Sequence, residues 1–138
     1  MMEESKMSKI VEKTIVITGA SSGIGKATAL LFADRGWKVV ATMRDATKSL
    51  FTGNPDISVV PLDVTDPLSV SKAVKAVEDI SPRVDVLLNN AGYALRGVLE
   101  GYTREQIEAQ LKTNLIGLID VICLMVNIPS QGVQILLH

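Results

Sequence analysis

One cysteine, Cys123, rules out an internal disulfide, and one histidine, His138, leaves too few ligands for a structural zinc site. A chain so poor in thiols belongs most naturally to a reducing compartment. An excess of one charge is also missing: 14 basic against 15 acidic residues leave a net charge of -1. Such a chain generates no field to recruit DNA or anionic lipid. Its most apolar stretch, residues 115–126, contains Asp120 and falls short of a membrane span. The opening MMEESKMSK is charged and lacks the apolar core of a signal peptide. Together these absences predict a soluble, cytoplasmic protein. Aromatic residues make up only 4% of the chain, but hydrophobic residues make up 47%, enough for a sizeable core. With 138 residues and no repeat or composition shift, a single domain over 1–138 is expected.

Short apolar runs alternate with longer periodic ones. TIVIT (14–18), KVVAT (38–42), ISVVPL (57–62) and VDVLLN (84–89) are rich in Val, Ile and Leu without alternation. Strands buried on both faces of a parallel sheet read this way. Helices are expected over 24–35, 67–80 and from 104 onward. The first would place Ile24, Ala27 and Leu31 on one face and end at Gly36. Asp66 caps the second, with Pro67 at its first position. Thr103 caps the third, and Gln106 completes a capping box. Strand and helix in repeated alternation predict an α/β fold, a doubly wound parallel sheet with right-handed crossovers.

The stretch VITGASSGIGKATAL (16–30) carries the chemistry. Gly19 permits a sharp reversal after the first strand. Gly23 removes a side chain where a pyrophosphate would approach, and Gly25 lets the helix pack closely on the strand. Ser21 and Ser22 add hydroxyl donors beside the unpaired N–H groups of the helix N-terminus. A Ser/Gly-rich connector without a ligand remains the alternative, but the turn sits after a buried strand and before a helix, where a dinucleotide site belongs.

TGASSGIG (18–25), with three residues between its first two glycines, resembles the pattern of the short-chain dehydrogenase/reductase family. LDV (62–64), NNAG (89–92) and TNLIG (113–117) resemble three further landmarks of that family, in order and at suitable spacing. The resemblance covers residues 14 to about 120. It implies a Rossmann-like fold and hydride transfer between a nicotinamide cofactor and a small carbonyl or alcohol substrate. The cofactor would be cradled by Gly19, Ser21, Ser22, Gly23, Ile24 and Gly25. Asp63 and Val64 would hold the adenine, and Asn89, Asn90, Ala91 and Gly92 would form the tetrapeptide ending the fourth strand. Asn114 would be the catalytic-tetrad asparagine. In this family an acidic residue ending the second strand selects NAD. Here Met43 stands at that position and Arg44 follows it, which suits the 2′-phosphate of NADP(H). The alternative is a solvated Arg44, with Asp45 binding the ribose. ATMRD, LDVTD, RVDVLLNNAG and GVLE resemble the branch acting on steroids, retinoids and other lipophilic alcohols or ketones.

The family's general acid/base is a tyrosine with a lysine four residues on. Here Tyr93 is followed at that distance by Gly97, and Tyr102 by Gln106, so the pair is absent. VNIPSQG (126–132) resembles the fifth-strand segment that ends in the catalytic serine, here Ser130. Yet GLIDVICLMVNI has no turn residues before it. Either the third helix is cut short, or 125–138 is an unrelated ending and no fifth strand. On the second reading the domain is truncated after the third long helix. The fourth strand is then an open edge, and Leu111, Leu115, Leu118 and Ile122 lose their cover, which favours self-association. Three functional readings follow: the cofactor-binding half of an NADP(H)-dependent oxidoreductase, a non-catalytic dinucleotide-binding or dimerising product, or a misassembled reading frame.

Overall fold

The computed structural model describes residues 12–128 and 132–138, so Ser130 lies outside the described residues. Five strands form one sheet: β1 (Thr14–Ile17), β2 (Lys38–Met43), β3 (Ile57–Pro61), β4 (Val86–Asn89) and β5 (Gln134–Leu137). Every pairing is parallel and the strand order is β3-β2-β1-β4-β5. Between them run α1 (Gly23–Asp34), α2 (Pro67–Ile80) and a long helix from 104 to 125. The long helix begins as α3 (Arg104–Leu111), passes through a π-helical turn at Lys112–Gly117 and continues as α4 (Leu118–Met125). Among the described residues no helix is long and apolar enough to cross a membrane.

The continuous Val/Ile/Leu composition of β1, β2 and β4 has the expected consequence of burial on both faces. Val16, Val40, Val60 and Leu87 pack with Val70 and Val77 of α2 and Val121 and Met125 of α4. Ile15, Ile17, Val39 and Ala41 pack on the other face with Ala29 and Ala33 of α1. Each fully buried Val, Ile or Leu side chain contributes ~1.5–3 kcal/mol of transfer free energy. Helices on both faces of a parallel sheet make this the doubly wound, Rossmann-like architecture. Local signals set its element ends: Asp66 accepts a hydrogen bond from Leu68 N, Pro67 occupies the first turn of α2, and both bonds of the Thr103–Gln106 capping box are present.

Four expectations need correction. The buried stripe of α1 is Gly25, Ala29 and Ala33, whereas Ile24, Ala27 and Leu31 are exposed. Small residues win because α1 lies so close to the sheet that any side chain at Gly25 would meet Asn90 and the Gly19 carbonyl. Second, Val126, Asn127 and Ile128 are no strand. Their N–H groups bond to the carbonyls of Ile122, Leu124 and Met125, so they unwind the helix, with Ile128 buried beneath it. Third, a fifth strand does exist, but at Gln134–Leu137, where Leu87 pairs with Ile135 and Leu88 with Leu136. Fourth, β4 is therefore covered, and the outer edges are β3 and β5. On the long helix Leu111 and Leu115 are exposed as expected. Ile122 packs against the core, while Val121 and Met125 carry the helix–sheet contact.

Candidate functional site

From β1 the chain moves one way through β2 and β3, then jumps to β4 on the other side of β1. Open α/β sheets bind ligands at such a switch point, beyond the C-terminal strand ends. A cleft of about 1020 Å³ lies there. Its walls come from the turn after β1, the residues following β2, β3 and β4, and the beginning of the π-helical turn.

The glycine turn is built as its composition requires. Gly19 has φ 65° and Gly23 φ 57°, both in the left-handed region that favours glycine. A methyl group at Gly19 would come within 2.8 Å of the Ala91 Cα, so the turn rests directly on the segment after β4. Nothing lies within 4 Å of the corresponding point at Gly23, which faces open space in the cleft. Ser22 is the N-cap of α1 but makes no side-chain capping bond, and no acidic residue occupies the first turn. The N–H groups of a 12-residue helix thus meet the cleft without a side-chain partner. Gly19, Ser21, Ser22, Gly23 and Ile24 all line it, whereas Gly25 is buried behind them.

Thr18 stitches this turn to the next wall. Its hydroxyl oxygen accepts hydrogen bonds from the N–H groups of Asn90 and Ala91, both at 3.0 Å. Asn90 returns a bond from Nδ2 to the Gly19 carbonyl at 2.9 Å. Asn90, Ala91 and Gly92 line the cleft. Asn89 is buried beneath them, and its Nδ2 has no partner among the described residues. Asn114, in the π-helical turn, holds the residue that follows: Oδ1 accepts from Tyr93 N at 3.0 Å and Nδ2 donates to Tyr93 O at 2.7 Å. With both polar atoms engaged, Asn114 fixes the backbone at this end of the cleft. π-Helical turns of this kind cluster at functional sites.

Past β3, Asp63 and Val64 enter the wall with Thr65. The Asp63 carboxylate accepts hydrogen bonds from the Thr65 hydroxyl at 2.7 Å and its N–H at 2.9 Å. These bonds hold the carboxyl below the usual carboxylate range, and Arg44 and Lys112 reinforce the effect through space. Arg44 lines the cleft beside Met43. Asp45 is not among the lining residues; its carboxylate caps the following turn through Thr47 and pairs with Lys48 at 3.5 Å.

Sequence reading missed five lining residues of note. Thr42 ends up with a buried hydroxyl that has no partner among the described residues. Ala109, Lys112 and Thr113 follow an i, i+3, i+4 spacing that places them on one helix face, a signal present in the sequence beside Asn114. His138 reaches the cleft because its N–H bonds to the Asn89 carbonyl at the end of β5, a contact set by strand register alone.

The cleft fits a dinucleotide: a helix N-terminus free of side-chain caps and open space at Gly23. The family model for short chain dehydrogenase matches residues 13–132. The chain is 37% identical over 107 residues to a 3-ketodihydrosphingosine reductase of Bacteroides thetaiotaomicron, covering 78% of this chain and 38% of the relative. It is 39% identical over 113 residues to a sulfoacetaldehyde reductase of Chromohalobacter salexigens, covering 78% and 45%. A solved structure of ElxO with NADP bound superposes with a TM-score of 0.76 at 30% identity, covering 83% of this chain and 49% of that one. The chain thus spans less than half the length of each of these proteins.

Proposed function

Since the chain belongs to the short-chain dehydrogenase/reductase family, we propose that its 138 residues form the cofactor-binding part of an NADP(H)-dependent oxidoreductase acting on a carbonyl or alcohol. The observation that carries this reading is the cleft itself, where the open glycine turn, the helix N-terminus and the β3–β4 loops converge at the switch point. The pyrophosphate would lie on the N–H groups at the start of α1, with Ser21 and Ser22 as hydroxyl donors. Asp63 and Val64 would border the adenine, and residues 89–92 would floor the nicotinamide side. When bound, the cofactor supplies a hydride.

Arg44 supports the 2′-phosphate reading: it borders the cleft, no acidic residue ends β2, and the competing Asp45 is occupied with its own turn. The partner would be a small-molecule carbonyl or alcohol, as both relatives named above are reductases. A lipophilic substrate rests on the resemblance of ATMRD, LDVTD and GVLE alone. Asn114 would position the backbone beside the nicotinamide. The general acid/base pair is not among these residues, so the 138-residue polypeptide should bind cofactor without turnover. NADPH oxidation by the pure polypeptide with any carbonyl compound would contradict that.

A second reading, a non-catalytic dinucleotide-binding or dimerising product, is favoured by the exposed apolar helix face at Leu111, Leu115, Ile116 and Ile119. Titration with NADPH and NADH, followed by nucleotide fluorescence, tests the cofactor part of both. Saturable binding with NADPH preferred is expected; absence of binding to either would overturn it.

A further inference from the structure

Two cations border the cofactor cleft, and only one of them has been given a role. Arg44 follows β2; Lys112 opens the π-helical turn, far away in sequence, yet lines the same cleft. Asp63 stands in that wall as well, with its carboxylate committed to Thr65. Among the described residues neither Arg44 nor Lys112 forms an ion pair, whereas Lys48, Lys75, Arg83 and Arg104 do. Arg44, Asp63 and Lys112 all line this one cleft, and both basic groups act on the Asp63 carboxylate through space. One negative charge facing two positive ones leaves this end of the cleft electropositive. A neutral ribose 2′-hydroxyl would not use that surplus; a phosphate monoester carrying about −1.5 to −2 charges would.

We propose that Lys112 is a second specificity-determining residue, contributing with Arg44 to hold the 2′-phosphate of an NADP-type cofactor. The inference rests on the NADP(H) reading above. Arg44 offers a planar fork, and Lys112 a point charge on a flexible stem. Lys112 is exposed, so ordering its stem and solvent screening limit its share, and a loss of about three- to tenfold in affinity is expected on removing its charge.

The test uses two nucleotide fragments, adenosine 2′,5′-bisphosphate and adenosine 5′-monophosphate, titrated calorimetrically into the 138-residue chain. Lys112→Gln should weaken the bisphosphate about three- to tenfold and leave the monophosphate within about twofold. Lys112→Arg should restore most of the difference, and the Lys112 effect should shrink at high salt. The monophosphate also reports whether the variant is folded. A bisphosphate preference that Arg44→Gln abolishes and Lys112→Gln leaves intact overturns the inference alone. Equal weakening of both ligands by Lys112→Gln also overturns it, since Lys112 would then act on the adenine side through Asp63. If the unaltered chain shows no preference between the two fragments, the NADP(H) reading fails, and the role of Lys112 fails with it.

Discussion

Thr18 joins two of the cleft's walls through one oxygen atom, which accepts the N–H groups of both Asn90 and Ala91. Thr18→Val preserves shape but leaves those two donors unsatisfied in a part-buried site. A loss of about 1–3 kcal/mol in urea unfolding is expected, and Thr18→Ser should recover most of it. Arg44→Asp should move the ratio of NADPH to NADH dissociation constants toward NADH, and an unchanged ratio would remove Arg44 from the account. Asp63 gives a pH signature. Its folded carboxyl lies below the unfolded value of about 3.9, so its stabilising contribution is complete above about pH 4. That contribution is lost as the pH falls through the folded value. Asp63→Asn should therefore lose less stability than the parent over the same acid interval in pH-dependent urea melts.

Elements differ in how openly the sequence announced them. The first four strands were legible from composition, and α2 and α3 from their caps, because these signals are local. The packing face of α1 was not. Its large apolar residues point outward and its small ones inward, an inversion imposed by the close approach at Gly25. Gly25→Ala should accordingly cost about 1–3 kcal/mol through overpacking, whereas Leu31→Ala, half exposed, should stay within about 0.5 kcal/mol. β5 was left open because its apolar run, residues 135–137, is short and terminal, and its pairing with β4 is long-range. The place of His138 at the cleft was hidden because it depends on how β4 and β5 meet, whereas that of Lys112 could have been read from its helical spacing to Ala109 and Thr113. Met125 tests the helix–sheet contact at the end of the long helix. It is fully buried, and Met125→Ala should cost about 2–5 kcal/mol.

At the scale of the whole molecule, apolar surface is left exposed outside the core. Leu111, Leu115, Ile116 and Ile119 are each about half exposed on the long helix, and β5 presents Ile135, Leu136 and Leu137 at a sheet edge. Association through the helix face predicts concentration-dependent sedimentation that Leu115→Glu weakens and Ile135→Lys leaves unchanged; the reverse pattern would assign it to the β5 edge. The cleft at the switch point should take up a dinucleotide across its full length. Amide chemical-shift mapping of the labelled 138-residue chain during NADPH titration tests this most directly. The predicted result is saturable shifts at Gly19, Gly23, Arg44, Asp63 and Ala91, in one continuous path from glycine turn to adenosine end. Shifts confined to the outer helix face, or none at saturating NADPH, would contradict it.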